Sequence, residues 1–250
     1  MSFVRSRRHL LRGALAAPAI FALSACASRR GGRGGAPIGP SGFDAWLDAW
    51  AERGRAIAAG QPHDARAEDA LVHELCASLS RFEPGRVPRA EALTSFGEGL
   101  RSGPVRVEGA LLLVELELGP HAVVPAHNHV GYDFVSVGLS GEAQVRHYEP
   151  LAGAPAPDPD PARVDGRVFQ VAEVQRVRLS PGRCSSLTRA RANIHWLRAG
   201  PEGARVLDVG LHFPDPGPGP RQFSALDIYL EARDRERGIY DARWIGDPYR

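Results

Sequence analysis

The 250-residue chain contains no lysine; all 31 of its basic residues are arginine. Chemistry that rests on a lysine amine, such as Schiff-base formation or a phosphate-loop lysine, is therefore excluded. Cysteine is scarce, three in all, and none stands in a Cys-x-x-Cys pair of the kind found in redox or zinc sites. One-sided charge is missing too. Against 29 Asp and Glu the formal charge is +2, which offers no electrostatic footprint for nucleic acid. The apolar stretch at residues 13–25 is too short to span a bilayer. Glycine (28) and proline (21) are plentiful, which points to short strands and turns rather than a long helical bundle. With 43% apolar residues, the chain reads as one globular domain with appendages.

The first segment reads as an address. Arg5, Arg7, Arg8 and Arg12 form a basic region ahead of the apolar stretch. Residues 6–12 resemble a twin-arginine export signal, and Leu23-Ser24-Ala25-Cys26 resembles a bacterial lipobox. These resemblances imply a signal peptide over residues 1–25, lipidation of Cys26, and a lipid-anchored protein of the cell envelope or periplasm. Removing residues 1–25 takes away four arginines and no acidic residue, so the charge becomes −2. Residues 26–42, rich in Gly and Arg, then form a flexible tether. In an oxidising compartment Cys76 and Cys184 either pair or remain buried thiols.

Residues 43–103 read as a helical segment. Phe43, Trp46, Leu47 and Trp50 recur at the spacing of one helical face, with Ser41 as N-cap and Gly60 and Pro62 as a stop. Leu71, Val72, Leu75, Cys76, Leu79 and Phe82 suggest a second helix. From residue 104 the period changes to two, as in Val114, Leu116 and Leu118 alternating with Glu115 and Glu117. Short strand-like runs follow at 134–137, 142–148, 168–171, 174–179, 193–197 and 205–211. The expectation is a mostly β barrel or sandwich over residues 104–215. Residues 152–161, with four prolines, read as a surface loop. Residues 216–250 read as an extension with a charged helix at 225–237 and an aromatic tail.

The chemistry-bearing pattern is His127-Asn128-His129. On a strand, residues i and i+2 share a face, so both imidazoles project together, as two ligands of one metal must. Imidazole suits Fe, Zn, Cu and Ni alike. The surrounding residues Pro125, Gly131, Leu139, Gly141 and Tyr148, with Asn193-Ile194-His195 and Leu207-Asp208-Val209 downstream, resemble the thiol dioxygenases. That group, containing cysteamine, plant N-terminal-cysteine and cysteine dioxygenases, belongs to the cupin superfamily of jelly-roll-like, double-stranded β-helix proteins. The resemblance covers residues 111–214. It implies Fe(II) held by His127, His129 and His195, with a small thiol or an N-terminal cysteine and O2 as substrates. The product implied is a sulfinate.

The same resemblance implies that Tyr148, or Tyr132, reaches an oxygen species. It also implies that Asp208 acts from behind a histidine or a bound water. Arg146 and Arg198 are candidates for a substrate carboxylate. Two departures stand out. The group usually carries Asp where this chain has Asn128, and Asp133 stands where many other metal cupins place a fourth, carboxylate ligand. Three alternatives therefore remain open: a metal-free barrel, a non-catalytic metal- or ligand-binding cupin, and a different cupin enzyme using Asp133. His121 and His147 read as a loop and a strand residue, and His212 as a neighbour of the site.

Overall fold

The computed structural model describes residues 40–59, 64–155, 166–213 and 224–246. The signal-like segment, Cys26 and most of the tether lie outside these residues, as do Gly60, Pro62 and most of the proline-rich loop.

Among the described residues two α-helices come first, α1 (Pro40–Ala59) and α2 (Ala65–Leu79). Asp64 caps α2 by accepting a hydrogen bond from the Arg66 N–H at 2.8 Å. Helix α1 begins at Pro40, so Ser41 lies inside it rather than capping it. Both apolar stripes are buried as their periodicity requires. Phe43, Trp46, Leu47 and Trp50 join Leu71, Leu75, Leu79 and Phe82 in one cluster with Val135, Leu207, Val209 and Leu211 of the sheet. Full burial of a leucine is worth about 2 kcal/mol. That gain holds the helix pair flat on the outer face of the sheet.

Among the described residues ten antiparallel strands follow: β1 (Thr94–Gly97), β2 (Leu100–Glu108), β3 (Leu111–Leu118), β4 (Val123–Val130), β5 (Tyr132–Pro150), β6 (Phe169–Leu179), β7 (Cys184–Leu187), β8 (Ile194–His212), β9 (Ser224–Asp234) and β10 (Ile239–Gly246). The expected mostly β architecture with N-terminal helices is the one observed. Strands β5 and β8 run 19 residues each and pair along both halves. The breaks expected near Gly141 and Gly203 are register shifts within continuous strands. Gly141 sits at φ +62, where a Cβ would collide with the Gly203 carbonyl oxygen.

The helix expected at 225–237 is a strand. Residues 226, 228, 230 and 232 are apolar and alternate with polar or aromatic ones, which is period two. The hairpin with β10 gives that alternation a partner. Charge content suggests a helix, but cross-strand burial of Ile228, Ala242 and Trp244 decides the matter. The sheet thus extends beyond 104–215 at both ends, taking in β1 and the start of β2 before it and β9–β10 after it.

Strand pairings β8–β4, β4–β9, β9–β10, β10–β6, β6–β5 and β5–β8 close a ring of six strands. Its inside holds Ala126, Tyr148, Phe169, Ile194 and Trp244. The opposite face of β4, β5 and β8 carries Val124, Val145 and Leu197 in a separate core. The histidines of interest project from that second face.

Candidate metal centre

In the β4–β8 ladder His127 lies directly opposite His195, and cross-strand partners share a face. His129 joins them two residues along β4. The His195 Nε2 stands 3.0 Å from the Nε2 of His129 and 3.0 Å from that of His127. Ring centroids are 4.5 to 4.9 Å apart and the rings are steeply inclined to one another. Strand parity, which the sequence pattern exposes, brings the first two together. Only the long-range ladder brings the third.

The donor set fits a divalent ion. His127 Nδ1 donates to the Pro125 carbonyl at 2.8 Å, which leaves its Nε2 lone pair facing His195. Converging lone pairs repel unless a cation, or a ring proton shared as an N–H···N bond, lies between them. Two nitrogens each about 2.1 Å from a common ion, at right angles, stand about 3.0 Å apart, which is the spacing observed here. Burial lowers the pKa of all three imidazoles, His129 and His195 well below the ordinary value. For His127 the Pro125 hydrogen bond works against that shift, while for the other two the neighbouring imidazoles add to it. Neutral imidazole is the form that binds metal.

Asp133 is not among the converging groups. It pairs with Leu211, whose side chain lies under the helices, so its carboxyl points to the helix face of the sheet. There its Oδ1 accepts the Arg189 N–H at 2.8 Å. The sequence left open whether Asp133 is a fourth, carboxylate ligand or points away, and strand parity turns it to the face opposite the histidines. Among the described residues, the group able to hold a metal ion is His127, His129 and His195.

Tyr148 is likewise turned away. His147 pairs with His195 and Tyr148 with Ile194, so Tyr148 faces the inside of the six-strand ring, where it meets Tyr240 edge-on at 5.2 Å. The phenol near the cluster is Tyr132. It shares a face with Phe134, whose ring packs on His129 at 4.0 Å, and its own ring lies 5.7 Å from Phe134 and 4.7 Å from His212. Arg146 and Arg198 also project from the face opposite the cluster. Arg146 lies over the Trp196 ring at 5.1 Å and near Glu173, while Arg198 is exposed.

Asp208 lies on the face turned away from the helices, paired with Ser136, between residues Leu207 and Val209 that point to the helices. Burial raises its pKa to about 6, against the pull of the Ser136 hydroxyl. It shares that face of β8 with His195, and Ser136 is the group beside it.

Two groups escape a reading of the sequence alone. His147 continues the row His127–His195 across β5, its ring 5.9 Å from that of His195. Its Nε2 accepts from the Ser185 hydroxyl at 2.5 Å and its Nδ1 donates to the Ala192 carbonyl at 3.2 Å. Asp227 extends the row at the other end, opposite His127 on β9. A helical reading of that segment hides its place, although its period-two alternation is a usable signal. Asp227 and Pro125 also line an open groove of about 920 Å³, with Phe96, Glu98, His121 and Val123. His121 sits in the turn that leads into β4, at φ +60.

No protein-family model matches the chain, and no curated protein does. Matches to solved structures are distant. KdgF from Halomonas sp. is 18% identical over 50% of this chain and 89% of its own, with a TM-score of 0.36. The cupin domain of Schizosaccharomyces pombe Cnp3 is 13% identical over 48% and 68%, with a TM-score of 0.33. Pumpkin seed globulin is 15% identical over 57% of this chain and 32% of its own, with a TM-score of 0.38. The chain spans about a third or less of the seed globulins it matches. Among the described residues the architecture is mostly β and antiparallel, with two N-terminal helices and a three-histidine cluster that could hold a metal ion.

Proposed function

We propose that the protein is an iron(II)-dependent thiol dioxygenase of the cupin type, exported by the twin-arginine route and anchored through a lipid on Cys26. The observation that carries this reading is the donor set, three neutral imidazoles with Asp133 turned away. Iron(II) held by His127, His129 and His195 would supply open coordination positions for a thiolate and dioxygen, whose two oxygen atoms would both pass to sulfur to give a sulfinate. Neutral ligands leave the ion's charge uncompensated, which favours an anionic partner.

The chain's own residues prepare that site. The Pro125 carbonyl orients His127, Phe134 packs on His129, and Asn193 bonds the backbone of His129. Tyr132 stays protonated, because burial raises its pKa above 10, and so can donate a hydrogen bond to an oxygen atom at the cluster's edge. The groove beside Pro125 and Asp227 offers an approach from solvent.

A second reading, a metal- or ligand-binding cupin without catalysis, is favoured by the positions of Tyr148, Arg146 and Arg198, all turned away from the cluster. Anaerobic loading with Fe(II), followed by oxygen uptake with a panel of thiols, separates the two. Stoichiometric iron with thiol-dependent uptake and a sulfinate product, lost in His195→Ala, supports the dioxygenase. Iron without uptake supports the binding protein, and no metal at all refutes the dioxygenase and the metal-binding form of the second reading. Membrane fractionation of the full chain beside Cys26→Ala tests the anchor, which requires that the variant be released.

A further inference from the structure

The β4–β8 ladder ends at Asn128 opposite Ile194, one residue short of His129. Beyond that point the Asn193 carboxamide takes over. Its Oδ1 accepts the His129 N–H at 3.0 Å and its Nδ2 donates to the His129 carbonyl at 3.1 Å. The same Nδ2 reaches the Arg189 carbonyl at 3.4 Å. One side chain therefore ties the backbone of one ligand to the turn that leads into another, His195.

That turn is gripped from helix α2. Arg189 pairs with the buried Glu68 and lies over the Phe213 ring at 4.7 Å, while Arg191 pairs with Asp69 at 2.6 Å. Thr188 and Arg191 exchange backbone hydrogen bonds, and the Thr188 hydroxyl accepts the Arg191 N–H at 3.1 Å. Ala192 is held at φ +55, a left-handed conformation that alanine adopts only where its surroundings impose it. The Glu149 carboxylate accepts its N–H at 3.1 Å, and its carbonyl accepts from His147. A strained residue three positions before a metal-ligating histidine, fastened on every side, marks a turn whose position matters to the site.

We propose that Asn193 is a positioning residue for the metal centre, and that the Glu68–Arg189 and Asp69–Arg191 ion pairs of helix α2 hold the turn that places it. This rests on the metal-binding reading above. The helix pair lies on the far side of the sheet from the histidines, so its contribution is mechanical: it sets where His129 stands relative to His195.

The test uses the full chain and Co(II) as probe, with affinity from chelator competition, the visible absorption of bound Co(II), and the melting temperature of the metal-free protein. Asn193→Ala should weaken Co(II) binding about 10- to 100-fold, as losing a group that orients a ligand typically does, and should alter the absorption band. Glu68→Gln should weaken it in the same direction by a smaller factor. Asn193→Asp, which keeps the acceptor for the His129 N–H but loses the donor, should fall between wild type and Asn193→Ala, and it serves if the alanine variant does not fold. Wild-type affinity and an unchanged band, with only a lower melting temperature, would overturn the positioning role. Failure of the wild type to bind Co(II) would remove the metal reading itself, and this inference with it.

Discussion

Replacing Asp133 by asparagine separates two roles that its carboxyl could have, ligand or buried structural group. The side chain is fully buried, and among the described residues its Oδ2 has no hydrogen-bond partner. Burial pushes its pKa from 3.8 to about 7; the Arg189 N–H bond opposes that shift and the Glu68 charge adds to it. The folded state therefore binds the proton more tightly than the unfolded chain does. The group's contribution to stability is fully present below about pH 4, where both states are protonated, and is lost as pH rises through 7. At about 1.4 kcal/mol per pH unit the difference amounts to about 4 kcal/mol above pH 7. Asparagine keeps an oxygen for the Arg189 N–H and carries no charge. Urea unfolding should show Asp133→Asn more stable than wild type by about 2–4 kcal/mol at about pH 8, with the gap closing toward about pH 4. Because the group faces the helices and asparagine keeps the Arg189 N–H bond, Co(II) affinity should not change. A gap that does not vary with pH would refute the burial argument. A tenfold loss of Co(II) affinity would show that the carboxyl acts on the metal centre, as a ligand or through the Arg189 turn it bonds.

Gly210→Ala should strike the site from within the core, because a Cβ there would lie 2.8 Å from the Phe134 ring that packs on His129. The expected result is a loss of about 1–3 kcal/mol in urea unfolding, together with weaker Co(II) binding. If Tyr132 donates to the reacting oxygen, Tyr132→Phe should lower thiol-dependent oxygen uptake at least about tenfold, whereas Tyr148→Phe should leave it nearly unchanged; the reverse order would contradict the strand parity. Leu75→Ala removes a fully buried side chain between helix and sheet and should cost about 2–5 kcal/mol by thermal or urea unfolding.

Much of the site is legible in the amino-acid sequence, because strand parity is a local property. The spacing of His127 and His129 puts both on one face whatever the rest of the chain does. The stripes of α1 and α2 are equally plain, since a 3.6-residue period shows which residues need cover. The faces taken by Tyr148 and Arg146 are not legible in this way, because which face of β5 meets the histidines depends on its pairing with β8 and not on its own alternation. The strand at 224–234 reads as a helix because its charge content outweighs a period that only a partner strand can confirm.

By itself, the sequence determined the elements whose cause lies within a few residues: two amphipathic helices, alternating strands, and a pair of histidines aimed the same way. It also determined, by having no lysine, that chemistry resting on a lysine amine is absent. A resemblance named His195 as the third member, but only the tertiary structure placed it against His127 and His129 and turned Asp133 to the other face. It also placed the Asn193 carboxamide against the His129 backbone and paired the turn before His195 with helix α2. Those outcomes depend on the register between strands whose paired histidines lie more than sixty residues apart in the chain, which hydrogen bonding and core packing set together.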